Sequence, residues 1–270
     1  MIKLNGQTVV VKKYPDGAQK LNLIYGVTAS YPSRYEIDWF YEAEEELVTL
    51  MFLSRHLKEK SPQTAQYLYM PYIPNARMDR VYADNEVFTL KYFADIINSL
   101  EFEKVTVLDP HSSVSTALIN NISIISVESY IQNVIRKIRR LDKSLIMYYP
   151  DEGAMKRYFK TISLPYVFGI KNRDWETGEI LGIDVAGMTD KIKDSEILIV
   201  DDICSKGGTF YYGAQKLKEL GAEDIYLYVT HCENTIFEGE LLKGNLIKKI
   251  FTTKSIYTKE HEKIEVVNYA

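Results

Sequence analysis

Two adjacent carboxylates and a glycine-rich turn lie in the segment ILIVDDICSKGGT, residues 197–209. Asp201 and Asp202 follow an apolar run that predicts a strand, and the pattern predicts a helix beginning at the two glycines. Backbone N–H groups at a helix N-terminus bind anions, and glycine lets the backbone approach a phosphate closely. Ser205 and Thr209 add hydroxyl donors. The segment therefore has the chemistry of a phosphate site.

The two carboxylates beside this loop suit a vicinal diol, because each can accept a hydrogen bond from a hydroxyl. Phosphate beside a diol is the chemistry of ribose 5-phosphate. The competing interpretation is that the acids cap a helix and the glycines form only a turn. The combination favours a binding site, and the predicted ribose-phosphate-binding residues are Asp201, Asp202, Ser205, Lys206, Gly207, Gly208 and Thr209.

Short apolar runs alternate with longer helical patterns along the chain, which is typical of a parallel α/β sheet. Apolar spacing predicts helices at 37–58, 88–100, 129–140, 153–159, 207–220 and 235–242. It predicts strands at 67–70, 105–108, 122–127, 145–149, 167–170, 196–200, 225–230 and 247–252. Because the pattern restarts near 142–144, we expect two α/β units, residues 1–142 and residues 143–270.

Composition excludes several classes of function. The net charge of −4 over 270 residues supplies no general attraction for nucleic acid. Cys204 and Cys232 lack the spacing of a zinc site or a disulfide framework. The N-terminus has no apolar core of a signal peptide, and no apolar run approaches the roughly 18 residues of a membrane span. These features predict a cytoplasmic protein that binds neither nucleic acid nor membrane.

Between residues 170 and 192 the regular pattern gives way to turn residues. Thr177-Gly178 is a predicted hairpin tip, with 179–185 as the returning arm. Such a projecting hairpin, beginning with Lys171 and Arg173, is more typical of a functional flap than of a connector.

The glycine-rich segment resembles the motif that binds 5-phosphoribosyl 1-diphosphate (PRPP) in type I phosphoribosyltransferases and ribose-phosphate pyrophosphokinases. The stretch 69–112 is similar to the pyrophosphokinase segment that runs from a Pro-Tyr strand through Ala-Arg-x-Asp-Arg to Asp-x-His. Shorter matches occur in the family's order: YPDG at 14–17, PDEG at 150–153, IKNR at 170–173 and TH at 230–231. Each match alone fits an ordinary surface or core residue, but their joint order favours the pyrophosphokinases.

This resemblance implies two tandem type I phosphoribosyltransferase-like domains, each a mainly parallel sheet flanked by helices. It also implies transfer of the β,γ-diphosphoryl group of Mg²⁺-bound ATP to the C1 hydroxyl of the ribose, with AMP leaving. The active sites would lie near the subunit interfaces of a homo-oligomer, because the family's N-terminal loop serves a neighbouring subunit.

The resemblance further implies the roles of individual residues. ATP would contact Tyr14, Asp16, Arg77 and His111, and Mg²⁺ would be held by His111 and Asp151. Such a transition state needs cations more than a strong base, because charge develops on phosphate oxygens. Lys171 and Arg173 on a closing flap would supply these cations, so the predicted catalytic residues are Lys171, Arg173 and His111.

Ser205 and Lys206 replace the Asp and Thr of the usual pyrophosphokinase loop. The exchange removes a carboxylate and adds a cation, which fits a more anionic or extended acceptor. ADP-ribose is one such acceptor, and its product would serve in rebuilding NAD from nicotinamide. Two other interpretations stay open: a phosphoribosyltransferase, and a catalytically silent regulatory subunit related to the PRPP synthetases.

Overall fold

The computed structural model describes residues 1–23, 33–160, 162–173 and 180–268; the side chains of 171–173 and 180–181 are not described. The chain divides into two compact units, Met1–Ser126 and Val127–Ala270. This division places the helix Glu128–Ile138 in the second unit, whereas the sequence analysis grouped it with the first. No helix in the described part of the chain is long and apolar enough to cross a bilayer.

The first unit is built on a six-stranded sheet and a separate two-stranded hairpin. Its strands are β1 (Ile2–Leu4), β2 (Gln7–Thr8), β3 (Val10–Lys13), β4 (Gln19–Asn22), β5 (Arg34–Trp39), β6 (Ala65–Tyr69), β7 (Lys104–Leu108) and β8 (Ile122–Ile125). Its helices are α1 (Glu45–Lys60), α2 (Thr89–Ser99) and α3 (Ser113–Leu118). The sheet order is β2-β1-β5-β6-β7-β8, in which β5 to β8 are parallel and β1 is antiparallel to both neighbours.

Helix α2 shows how the sequence creates this layer. Leu90, Phe93, Ala94 and Ile97 are buried at helical spacing, so one apolar stripe packs in the core of the first unit. The prediction of a helix from residue 37 was wrong at its start. Tyr35, Ile37 and Trp39 are buried in alternation along β5, and a period of two is the pattern of a strand.

The second unit is built on a seven-stranded sheet in the order β11-β10-β9-β12-β13-β14-β15. Its strands are β9 (Leu145–Tyr149), β10 (Tyr166–Arg173), β11 (Ile180–Gly187), β12 (Glu196–Cys204), β13 (Ile225–Cys232), β14 (Lys249–Thr252) and β15 (Ile264–Val266). Its α-helices are α4 (Glu128–Ile138), α5 (Glu152–Tyr158) and α6 (Gly208–Glu219). All strands are parallel except β11, which pairs antiparallel with β10.

The central strands of this sheet are covered on both faces. Every residue of β9 and β13 is buried, as expected for parallel strands between helical layers. The carboxyl ends of β9, β12 and β13 lie at the same edge, which is where ligands bind in such sheets. The α/β architecture of two mainly parallel sheets is the one that the sequence predicted.

Candidate active site

The glycine-rich loop joins β12 to α6. The sequence predicted that the strand would stop before the two acids, but β12 continues through them to Cys204. The loop proper is therefore Ser205, Lys206 and Gly207, and α6 begins at Gly208. Its tight turn places the first backbone N–H groups of α6 at the carboxyl edge of the sheet, where groups of this kind can donate to an anion.

Gly207 and Gly208 are glycines for different reasons. Gly207 has φ of 80°, and a methyl group there would lie 2.1 Å from Cδ1 of the buried Leu241. The protein's own backbone and packing thus require this glycine. Gly208 lacks a positive φ, and nothing lies within 4 Å of the position that its Cβ would occupy. The open space beside Gly208 leaves room for a bound group at the start of α6.

The other side of the loop is packed against residue 239. A methyl group at Gly239 would lie 1.8 Å from the carbonyl oxygen of Lys206. The side chain of Lys206 turns to the surface, where its Nζ lies 2.9 Å from Oε2 of Glu238 and both side chains are more than half exposed. Ser205 and Thr209 are half-buried. The loop backbone is therefore held from the protein side, while Lys206 already has a counterion.

Three carboxylates gather beside this loop. Asp202 is buried, and its backbone N–H donates to Oδ1 of Asp201 at 3.0 Å. Asp151 follows β9 and caps α5, accepting from the N–H of Ala154 at 2.9 Å. Although part of Asp201 reaches the surface, the surrounding protein raises its pKa well above the ordinary value, and the charges of Asp202 and Asp151 raise it further. The structure thus brings together three acids that the sequence predicted as site residues.

Arg157 is a site residue that the sequence analysis missed. Its Nη1 lies 3.0 Å from Oδ2 of Asp202, and its side chain is 29 % exposed. Its position six residues after Asp151, on the helix that Asp151 caps, was the available signal. It offsets part of the negative charge of the three acids.

A Mg²⁺ ion fits this donor set. Mg²⁺ takes one or two protein carboxylates and completes its shell with water and substrate phosphates. In the described residues, no group of three or more His, Cys, Asp or Glu side chains is arranged to hold a metal ion, so the fit rests on the chemical type of the donors. The predicted Mg²⁺ ligands His111 and Asp151 belong to different units, and their role as a pair stays a prediction.

In the first unit, the predicted ATP-side residues follow two neighbouring strand ends. Arg77 lies after β6 and is exposed, and His111 lies after β7 and is half-buried. Asn75 and Asp109, each two residues earlier, have φ of 62° and 44°. Residues other than glycine adopt this backbone region at a cost, and such strain clusters at functional sites.

These two loops meet at Asp79. Its carboxylate accepts from Nε of Arg80 at 2.9 Å, and this bond together with the nearby charge of His111 lowers the pKa of Asp79. The structure therefore brings the Ala-Arg-x-Asp-Arg segment beside the segment that contains His111. That arrangement is consistent with one nucleotide-binding surface in the first unit.

Tyr14 and Asp16 lie at the tip of the β3–β4 hairpin. The ring of Tyr14 is 53 % exposed, and Oδ1 of Asp16 accepts from the N–H of Ala18 at 3.0 Å. At the end of β3, beside this tip, Nζ of Lys13 bonds both oxygens of Glu45 at 2.7 Å. Asp16 therefore has a local turn role, and its predicted contact with ATP stays a prediction.

The predicted hairpin is confirmed in its two arms, because β10 and β11 pair antiparallel from Val167↔Gly187 onward, whereas its role as a functional flap stays a prediction. The register shifts between Asn172 and Arg173. The backbone of Lys171 and Arg173 lies in β10, but their side chains and the predicted tip at 177–178 fall outside the described residues.

Comparison with known proteins finds a matching family and similar proteins. Residues 131–260 match the Phosphoribosyl transferase domain family. Ribose-phosphate pyrophosphokinases are similar over most of the chain. The protein of Thermococcus kodakarensis is 28% identical over 227 residues, 83% of this chain and 77% of the relative. That of Pyrococcus abyssi is 27% identical over 270 residues, 97% and 88% of the two chains.

This chain is a distant homologue of the ribose-phosphate pyrophosphokinases. The crystal structure of phosphoribosylpyrophosphate synthetase from Mycobacterium smegmatis agrees in fold, with a TM-score of 0.79 at 17% identity, covering 96% of this chain and 85% of that one. Its fold is that of two phosphoribosyltransferase-like domains, as the sequence predicted. At such low identity, the roles of individual residues in this distant pyrophosphokinase homologue stay predictions.

Proposed function

We propose that the chain is an ATP-dependent pyrophosphokinase acting on a ribose 5-phosphoryl acceptor. The C1 hydroxyl oxygen of the acceptor attacks the β-phosphorus of ATP, and the bond from that phosphorus to the α-phosphate oxygen breaks. The products are the C1 diphosphate ester, AMP and the hydroxyl proton. The observation that carries the proposal is the open space at Gly208, at a helix N-terminus beside the three gathered carboxylates.

The residues of the chain would share this work. The first N–H groups of α6 with Ser205 and Thr209 hold the 5′-phosphate, and Asp201 and Asp202 accept from the ribose hydroxyls. Arg77 and His111 bind the phosphates of ATP. Mg²⁺, when bound, offsets charge on the diphosphoryl oxygens.

In the same proposal, Lys171 and Arg173 act from β10, the first arm of the hairpin. As cations they stabilise the charge that develops as AMP leaves. Their effect belongs mainly to the transition state. We therefore expect Lys171→Ala to lower turnover far more than it weakens ATP binding.

Ribose 5-phosphate is the first acceptor that we propose, and ADP-ribose is the second. Lys206 favoured ADP-ribose in the sequence because it adds a positive charge to the loop. In the structure Glu238 lies 2.9 Å from that charge, and the pair gives the loop no net gain. The feature of the loop that still favours the larger acceptor is then the missing Asp at position 205.

The test is AMP release from ATP and Mg²⁺ with each acceptor in turn, followed by nucleotide chromatography. We expect AMP and the C1 diphosphate ester in equal amounts. An acceptor analogue that lacks the C1 hydroxyl should release no AMP, and Lys171→Ala is the matched catalytic control. No AMP with either acceptor would refute the proposal and favour a silent regulatory subunit. Pyrophosphate release from PRPP and a nucleobase would instead indicate a phosphoribosyltransferase.

A further inference from the structure

The ion pair between Arg157 and Asp202 connects α5 to the end of β12. Asp202 is 4% exposed, and Nη1 of Arg157 lies 3.0 Å from its Oδ2. A buried carboxylate is costly to keep charged, so removal of Arg157 takes away a cation that favours the charged form of Asp202 in its native position. The state of Asp202 therefore depends on α5.

The same helix also fixes a second acid of the site. Asp151 caps α5 at its N-terminus, with its Oδ1 2.9 Å from the N–H of Ala154. Arg157 lies at the other end of this short helix, with its guanidinium near the ring of Tyr158 at 5.7 Å. Helix α5 packs against β9, β10 and β12. It thus holds Asp151 with its first turn and Asp202 with its last.

A contribution to stability alone does not account well for this pair. Buried ion pairs are weak contributors to stability, because desolvation offsets most of their attraction. The three carboxylates beside the loop repel one another, because the charges of Asp202 and Asp151 add to the effect of burial in raising the pKa of Asp201. An arginine directed at one of them keeps that one charged and oriented, which matters most if it receives hydrogen bonds from a ligand.

We propose that Arg157 is a positioning residue, which acts through Asp202 to hold that carboxylate as an acceptor for the hydroxyls of the ribose 5-phosphoryl substrate. The inference rests on the proposed function of the same site. Arg157→Met should weaken acceptor binding about tenfold or more, since a displaced or neutralised Asp202 loses its charge-assisted hydrogen bond to a ribose hydroxyl. Arg157→Lys should recover part of the affinity, because lysine keeps the charge without the planar fork.

The experiment is calorimetric titration of ribose 5-phosphate into wild-type protein, Arg157→Met, Asp202→Asn and the double variant. If Arg157 acts through Asp202, Arg157→Met costs little further affinity in the Asp202→Asn background. Equal losses in both backgrounds, or unchanged affinity in Arg157→Met, would overturn the inference. If the wild-type protein itself does not bind ribose 5-phosphate, the proposed function fails instead.

Lys156→Met is the matched control, because Lys156 lies on the same helix and pairs only with the exposed Glu152 at 2.7 Å among the described residues. It should leave acceptor affinity unchanged. A purely structural role predicts equal changes in the KM for ATP and for the acceptor. Positioning predicts a higher KM for the acceptor alone. Should Arg157→Met fail to fold, Arg157→Lys and Asp202→Asn carry the same comparison.

Discussion

Alanine at Gly207 and alanine at Gly208 should have opposite effects, although the two residues are adjacent. At Gly207 the φ of 80° costs an alanine about 1–2 kcal/mol. Its methyl group would also lie 2.1 Å from Cδ1 of Leu241, which is 2% exposed and cannot move to solvent. Such overpacking costs about 1–3 kcal/mol. Gly207→Ala should therefore lose roughly 2–5 kcal/mol of folding free energy.

At Gly208 the folded protein has room for the same methyl group. Alanine there should stabilise the start of α6 by about 0.4–1 kcal/mol, because it restricts the unfolded chain. If the acceptor phosphate occupies the open space, the methyl group displaces it from the backbone N–H groups. Loss of one charge-assisted hydrogen bond costs about 1.5–3 kcal/mol, so affinity should fall by about 10-fold to 100-fold.

Thermal unfolding and calorimetric titration with ribose 5-phosphate separate the two effects. Gly207→Ala should lower Tm by roughly 5–15 °C. Gly208→Ala should keep or raise Tm and lose acceptor affinity. If Gly208→Ala binds ribose 5-phosphate as tightly as the wild type, the phosphate does not lie at this helix end and the loop is only a turn. If Gly207→Ala is as stable as the wild type, the packing argument is wrong.

Three further predictions concern buried groups of the second unit. Neither Cys204 nor Cys232 should react with a thiol reagent before unfolding, because both are fully buried and the neighbouring thiol and burial raise the pKa of Cys204; rapid labelling of folded protein would contradict this. Tyr148→Phe should leave stability unchanged or raise it by up to about 1–3 kcal/mol in urea unfolding, because the tyrosine hydroxyl is buried without a partner among the described residues; a clear loss would reveal a hidden partner. Burial raises the folded-state pKa of Glu196, although the charge of Arg140 opposes the shift. Its contribution to folding stability is therefore complete below the unfolded pKa of 4.5 and is lost as pH rises through the folded pKa. Glu196→Gln should gain stability relative to the wild type over that rise, and a stability difference that does not change with pH would refute the assignment.

The sequence predicted the fold best where the local pattern of apolar residues allows one interpretation. Strand β9 was located to the residue at 145–149, since five buried residues in a row admit little else than a central parallel strand. The end of strand β5 was predicted as the start of a helix, because Trp39 fits both the period of two of a strand and the helical spacing that follows it. The hairpin β3–β4 was missed because all four residues of β3, VVKK, are exposed, so its apolar and polar residues do not alternate as in a half-buried strand.

The sequence was a better guide to the candidate site residues than to the contacts between them. Motif order located Asp151, Asp201 and the glycines, because these are chemical types at fixed spacing. The partner of Asp202 could not be found this way, since Arg157 reaches it only through the packing of α5 against β12. The difference between Gly207 and Gly208 likewise depends on Leu241, more than thirty residues later in the chain.

The effect of Lys206 on the charge of the loop also could not be predicted from the sequence. The exchange from Thr to Lys adds a positive charge to the loop, yet the fold places Glu238 against it, and both groups stay exposed. A screened surface pair contributes little to the field at a buried phosphate. If the proposed function is correct, we expect selection between ribose 5-phosphate and ADP-ribose to depend on the space beyond Ser205, where a serine hydroxyl replaces the family's carboxylate. We expect a smaller, neutral side chain there to accommodate a phosphate that is esterified on its far side, whereas the positive charge of Lys206 should give no preference for either acceptor.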